Sequence, residues 1–418
     1  MDRTIPAYVL GVGTPNGIGV VRSLGREGIR TTAADSDPRA AGLASRYARP
    51  LLLADPVREP QRALADLLAA SDDDQKGVLF PTSDAFVLFL SRFRKELGER
   101  FRFCIPSPQI LEGMVNKKRQ YEEAIRVGAP LPPTFFPSTM AEVEQIEGLL
   151  DYPAFIKPHY SHLWYTTFGN KGFKVHGPKE LRERYERVFQ AGLEALVQTI
   201  IRGPNTNHVK VCAYYGQDGK RHALFLTRKI RQFPTEFGVG TVMHSIHDPE
   251  VQTIGLRFLE AIGYRGIGSI ELKLDDRDGR YKMIELNPRL WAQNVQATYA
   301  GVNFPLIQYL DVTGQGTGPE PQWRDGVRWM DSFEDAQSFW HYHRRGKLGY
   351  GALFQDWLSV DCHAYFAWDD LGPVWKHSGY GVEALKLVVK LLKWEKVHPL
   401  SGLSSRASDR AEPDVRLR

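Results

Sequence analysis

Two glutamates, an asparagine and an arginine carry the strongest chemical signal in this 418-residue chain. They lie in Glu271-Leu272-Lys273-Leu274 and in Met283-Ile284-Glu285-Leu286-Asn287-Pro288-Arg289. Between these runs stands Asp275-Asp276-Arg277-Asp278-Gly279-Arg280, a hairpin signature. Alternate residues of a strand share a face. Glu285 and Asn287 therefore point one way, while Ile284 and Leu286 point into the core. On the partner strand Ile270, Leu272 and Leu274 form the apolar face and leave Glu271 with Ser269 and Lys273. A hairpin closing symmetrically about Asp278 sets Glu271 opposite Glu285, with Cβ atoms roughly 5 Å apart. Facing carboxylates repel, and a divalent cation reverses that sign. Two carboxylates and an amide oxygen make a hard, all-oxygen site suited to Mg²⁺, or Mn²⁺ in its place, shared with substrate phosphates. The same residues also read as an exposed hairpin face with incidental charges, Lys273 offsetting one of them.

The elements that must position this hairpin follow from the pattern of the rest of the chain. Residues 1 to about 105 alternate buried-strand and helix signals. Ala7-Tyr8-Val9-Leu10-Gly11-Val12 and Gly77-Val78-Leu79-Phe80 are apolar runs ending in turn residues, with helix patterns at 18–27 and 63–70 and a strand at 30–34. That rhythm predicts a doubly wound α/β sheet. From Pro106 to Pro133 the pattern is helical; beyond Pro153 it becomes α+β, with antiparallel strands at 195–201, 209–215, 222–227, 268–274 and 281–287. Trp323 to about Pro399 reads as helices packed on the main body, and Ser401–Arg418 as a disordered tail.

Composition narrows the class of protein. A hydrophobic content of 42%, a charged content of 25% and a net charge of +5 are ordinary for a soluble globular chain. No apolar run reaches the roughly 20 residues needed to span a bilayer, and the start is too short in apolar residues for a signal peptide. Cys104, Cys212 and Cys362 lack metal-ligand spacing. A cytoplasmic protein without a disulfide framework is expected, with no nucleic-acid partner. Gly11-Val12-Gly13-Thr14-Pro15-Asn16-Gly17 has part of a dinucleotide fingerprint, but Asn16 stands at the third glycine and Pro15 in the turn, so no NAD site is expected.

Five stretches, taken in order, resemble the ATP-grasp family. Glu271, Glu285, Asn287 and Arg289 are similar to its metal-binding signature, a Glu followed a dozen or so residues later by Glu-x-Asn-x-Arg. Asn116-Lys117-Lys118 resembles its lysine-bearing helix, and Gly128-Ala129-Pro130-Leu131-Pro132-Pro133-Thr134 the connection after it. Tyr152-Pro153-Ala154-Phe155-Ile156-Lys157-Pro158 resembles the strand with the second nucleotide lysine. Leu196-Val197-Gln198-Thr199-Ile200-Ile201-Arg202-Gly203 is similar to the hinge that meets adenine. The resemblance spans about 7–315 and implies a doubly wound domain (1–109), two ATP-grasp lobes (110–195 and 196–318), a helical accessory region (319–400) and the tail (401–418).

The resemblance also implies roles. Glu271, Glu285 and Asn287 would hold Mg²⁺ at the β- and γ-phosphates of ATP. Lys117 and Lys157 would bind phosphates, and Gln198, Thr199 and Ile201 would meet the adenine edge. Arg289, Arg228 and Lys229 would stabilise the charge of phosphoryl transfer; a solvated basic strand end is the other reading of 228–231. Substrate contacts are expected from Thr82, Ser83 and Asp84, at the end of a parallel strand, with a structural helix N-cap as the equal alternative, and from Arg231 and His162. One segment departs from the family: where a glycine-rich flap is usual, His159 to Phe168 is aromatic, a loop that either shapes the acceptor pocket or packs as a lid. The implied reaction joins a carboxylate, activated as an acyl phosphate, to an amine, with release of ADP and phosphate; a homodimer is the assembly considered. An ATP-grasp phosphotransferase and a nucleotide-binding protein without turnover are the alternatives.

Overall fold

The computed structural model describes residues 1–71, 75–159 and 161–378. The expected tail at 401–418, and the accessory region beyond 378, lie outside the described residues.

The amino-terminal part is a parallel sheet of β1 (Ala7–Leu10), β2 (Thr31–Asp35), β3 (Ala48–Leu52), β4 (Gly77–Pro81) and β5 (Phe101–Arg102), in the order β3-β2-β1-β4-β5. Strand order reverses direction at β1 and β4, and ligands of such sheets bind beyond the carboxyl ends there. Gly17 lets the helix Pro15–Arg26 lie on β1, since a Cβ at that position would stand 2.5 Å from the carbonyl oxygen of Gly11. Asn16 donates through Nδ2 to the carbonyls of Thr82 and Leu290, at 3.2 and 2.9 Å. The residue that breaks the dinucleotide fingerprint thus ties the first domain to the segment after the acidic hairpin.

A second sheet contains β6 (Thr134–Phe135), β7 (Ala154–Pro158), β8 (Phe173–Val175) and β9 (Ala195–Thr199), in the order β6-β9-β7-β8. Its strand β9 falls on the far side of the lobe boundary expected at 195/196. The aromatic segment before β8 is a helix, Ser161–Phe168, rather than a loop. Trp164 is buried against Phe168 and Phe173, with ring centroids 4.7 and 5.1 Å away, and its indole N–H donates to Asn170 Oδ1 at 2.9 Å. Apolar packing at i and i+4 selects the helix there.

The largest sheet runs β14-β13-β10-β11-β12-β15-β16, made of β10 (His208–Tyr215), β11 (Arg221–Phe233), β12 (Val239–Ser245), β13 (Gly266–Asp275), β14 (Arg280–Asn287), β15 (Arg328–Met330) and β16 (Cys362–His363). The carboxy-terminal region is therefore not purely helical, as the sequence suggested. It adds β15 to the edge of β12 and buries Trp329 in doing so, with β16 parallel beyond it. The main apolar core lies between this sheet and its helices and continues to the first domain through Val9, Val21 and Leu24. A buried ion pair, Arg22 Nε to Asp370 Oδ2 at 3.0 Å, joins the end of the described chain to that domain. No helix of the described residues is long and apolar enough to cross a membrane.

Candidate active site

One row across the large sheet sets the geometry. In register, β10 places Lys210 beside Glu271 of β13, and Glu271 faces Glu285 of β14. The route to that register differs from the symmetric hairpin the sequence suggests. The strands close around 276–279, pairing Asp275 with Arg280, which alone would bring Ile284 opposite Glu271. A β-bulge between Glu271 and Leu272 inserts one residue and restores Glu285 to the face of Glu271. Ile284 consequently is not a core residue; Met283 is, and the Ile284 carbonyl accepts the hydroxyl of Tyr121.

The neighbouring lobe brings cations to these carboxylates. Asn116 caps the helix Lys117–Arg126 through its side chain, fixing Lys117 in the first turn. Gln120 then bonds the backbone of Leu286 in both directions, at 3.0 Å each, clamping this helix to β14. Lys117 Nζ reaches Glu285 Oε2 at 3.2 Å. From β7, Lys157 Nζ donates to Gln198 Oε1 at 2.7 Å and to Tyr121 Oη at 2.9 Å. Lys210 Nζ lies 2.9 Å from Glu271 Oε1. Asn287 Nδ2 stands 3.4 Å from Glu285 Oε1, and Arg289 Nη2 3.5 Å from Asn287 Oδ1.

Lys117, Lys157, Lys210, Lys229, Lys273 and Arg289 act electrostatically on Glu271, on Glu285 or on one another. Burial pushes the Glu271 carboxyl up, but Lys210 and Lys229 outweigh it and hold it down at about 2. Lys117 keeps Glu285 below the usual carboxylate range against the effect of burial. Burial opposes the charge of Lys117, but Glu285 prevails and its pKa rises. For three cations burial prevails, Lys273 among them. Burial, joined by Lys117, brings Lys157 down to about 7, and burial brings Lys229 down to about 8. A buried cluster with more cations than carboxylates is built to receive an anion.

Among the described residues no group of three or more His, Cys, Asp or Glu side chains gathers as a metal site. What does gather is two ionised carboxylates and an amide. That donor set fits a hard cation which takes its remaining ligands from phosphate oxygens and water. A half-turn of the Asn287 amide presents its oxygen on the same side.

The other expected residues divide. Asp84 lies by the cluster, accepting from Arg289 Nε at 2.7 Å. Thr82 is spent on the carbonyls of Leu10 and Gly11, and Ser83 caps the helix Asp84–Arg92. Lys229 is buried near the carboxylates, donating to Gln232 Oε1 at 3.1 Å. Arg228 points to the opposite face, 3.6 Å from Asp248, and does not reach the cluster. Arg231 is locked in a buried pair with Asp335, at 2.8 Å, and by Asp356, which leaves it no substrate role. In the hinge, Thr199 N donates to Pro133 O at 3.0 Å, and Ile201 O accepts from Lys273 Nζ at 2.9 Å. The side chain of His162 lies outside those described. Lys210 and Tyr121 lie in the cluster and were not expected there, whereas Lys273 was expected on the face of Glu271. The available signal for Lys210 was a lone charge inside the apolar run Val209-Lys210-Val211-Cys212.

Known proteins are similar to this chain in sequence or in fold. D-aspartate ligase from Enterococcus faecium is 28% identical over 248 residues, covering 56% of this chain and 58% of the relative; the match thus spans little more than half the relative's length. Among solved structures, N5-carboxyaminoimidazole synthetase from Staphylococcus aureus, complexed with ADP, superposes with a TM-score of 0.61 at 15% identity, covering 79% of this chain and 83% of that one. L-amino acid ligase from Bacillus licheniformis gives 0.56 at 15% identity, over 78% and 79%. No family model matches the chain. With these structural neighbours, and with the two lobes and acidic hairpin above, the chain has the ATP-grasp fold.

Proposed function

We infer that this protein is an ATP-dependent carboxylate–amine ligase. The observation that carries the reading is the buried cluster in which Lys117, Lys157, Lys210 and Lys229 surround the in-register pair Glu271 and Glu285. The printed names of the D-aspartate and L-amino acid ligases support an amino acid or a peptide-like molecule as one substrate. ADP in the synthetase, and MgADP in the biotin carboxylase domain of a Hydrogenobacter thermophilus carboxylase, support Mg·ATP as the other.

In this reading Lys117 and Lys157 bind the phosphates of ATP, and Gln198 orients Lys157. The nucleotide supplies the anion that the excess of buried cations lacks, so Lys157 and Lys229 regain full protonation when it binds. Glu271, Glu285 and Asn287 would hold Mg²⁺, which supplies charge neutralisation at the terminal phosphates. The substrate carboxylate attacks the γ-phosphorus, its C–O⁻ oxygen forming the new O–P bond while ADP leaves. Arg289, steadied by Asp84, offsets charge on the transferring group. The amine then adds to the acyl carbon, and the C–O bond to phosphate breaks. No protein nucleophile is required; positioning and charge stabilisation carry the catalysis.

ADP release over a matrix of carboxylates and amines, with hydroxylamine as a trapping amine, tests the reading. Carboxylate-dependent hydroxamate formed in step with ADP is expected. A stable phosphorylated product with no need for an amine would instead make the protein a phosphotransferase, and ATP binding without ADP release across the panel would leave it a nucleotide-binding protein.

A further inference from the structure

The helix Tyr350–Leu358 is held to the body from one side. Asp356 pairs with the buried guanidinium of Arg231, and the Trp357 indole N–H donates to Asp335 Oδ2 at 3.3 Å. The Tyr350 ring lies tilted against those of His343 and Phe339, with centroids 4.4 and 5.5 Å apart. Phe354 and Leu358, spaced at i and i+4, share a face turned to water, and the exposed part of the Tyr350 ring continues it. Tyr350, Phe354 and Leu358 are 55%, 64% and 87% exposed. Large apolar side chains aligned in water mark an interaction surface rather than chance exposure.

The charge at the amino-terminal end of the stripe has one sign. Arg344, which ends the helix Ser332–Arg344, and Arg345 and Lys347, in the turn that leads into Tyr350–Leu358, are all exposed. No carboxylate stands between Asp335 and Asp356 in the sequence. A helix exposed on most of its circumference is a ridge, not a groove, so it suits a surface that yields to insertion. An apolar ridge bordered by cations is what binds a leaflet of anionic lipid: the stripe enters the acyl boundary while Arg and Lys meet the headgroups. We propose that the ridge Tyr350–Phe354–Leu358, with Arg344, Arg345 and Lys347, docks this protein peripherally on an anionic lipid surface. The bound chain would work beside the bilayer without crossing it.

Co-sedimentation of the full chain with vesicles tests this, comparing phosphatidylcholine alone with phosphatidylcholine mixed with phosphatidylglycerol. Binding to the mixed vesicles, weakened by salt, is expected. Phe354→Ser with Leu358→Ser should weaken it about tenfold or more. Replacing Arg344, Arg345 and Lys347 together by Gln should weaken it on the order of a hundredfold. Both variants should keep the wild-type unfolding midpoint. Equal binding to both vesicle types, no binding to either, or unaltered binding by the variants overturns the proposal. Absence of vesicle binding together with a dimer that the Phe354/Leu358 variant dissociates would assign the stripe to a second copy of the chain.

Discussion

Lys210 and Glu271 face each other across adjacent strands of the large sheet, Nζ to Oε1 at 2.9 Å, with Glu285 next in the same row. Lys210 keeps one of two opposed carboxylates ionised and compensated while no nucleotide is bound. Breaking a buried pair by removing one partner costs about 3 kcal/mol. Lys210→Met should therefore lower stability by about that amount in denaturant melts. Lys210→Met combined with Glu271→Leu should recover most of the loss, because no orphaned charge remains, while ADP formation stays abolished. Recovery of activity in the double variant would remove Glu271 from the chemistry.

Glu285→Gln keeps the shape of the side chain and deletes the charge opposite Lys117. ADP formation should fall on the order of a thousandfold, and the unfolding midpoint should drop, because Lys117 loses its compensating carboxylate. A loss of less than tenfold would take Glu285 out of the proposed phosphate site.

Nucleotide binding should take up protons. The pKa of Lys157 is lowered to about 7 and that of Lys229 to about 8, both first by burial. At pH 8 Lys157 is mostly neutral in the free protein and becomes charged beside phosphate, so about one proton or more should be absorbed per nucleotide. Calorimetry of Mg·ATP binding in buffers of different ionisation enthalpy measures this, and Lys157→Met should reduce it. The sign for stability follows from the same shift. Between about pH 7 and the ordinary lysine range the unfolded chain binds more protons than the folded one. Stability of the free protein therefore rises with pH through that window, and Lys157→Met should flatten the rise.

Arg228 and Arg231 lie next to Lys229 in sequence yet should behave differently from it and from each other. Arg228→Gln should change ADP formation less than threefold, since its guanidinium faces Asp248 outside the cluster. Arg231→Met should cost about 3–5 kcal/mol in stability, because it strands Asp335 uncompensated in the core. Nucleotide affinity of the folded fraction should stay at the wild-type value. A selective loss of affinity in either variant would return that residue to the site.

The acidic hairpin was legible because strand alternation and a turn are local properties, written in consecutive residues. The pairing of Glu271 with Glu285 came from a symmetric closure that the structure does not use; the bulge that restores it depends on how β14 meets the helix Lys117–Arg126, through Tyr121 and Gln120. Lys117 and Lys157 stood in recognisable stretches. Lys210 did not: an isolated lysine in a strand acquires meaning only when the neighbouring strand sets Glu271 beside it. Arg231 shows the converse, a cation in a basic run whose partners Asp335 and Asp356 lie more than a hundred residues away. Helix Ser161–Phe168 escaped notice because its drive is the packing of Trp164 on Phe168 and Phe173, a tertiary contact stronger than the weak local preference of an aromatic segment.

The central claim is that Glu271, Glu285 and Asn287 gather at a nucleotide's terminal phosphates. A crystal structure with Mn²⁺ and a non-hydrolysable ATP analogue, read by the manganese anomalous signal, addresses it most directly. The expected peak is coordinated by Glu285 and by Glu271 or Asn287, with Lys117 and Lys157 turned onto phosphate oxygens. Manganese bound elsewhere, or a nucleotide whose phosphates leave Lys117 still paired to Glu285 and lie outside this row of the sheet, would contradict it.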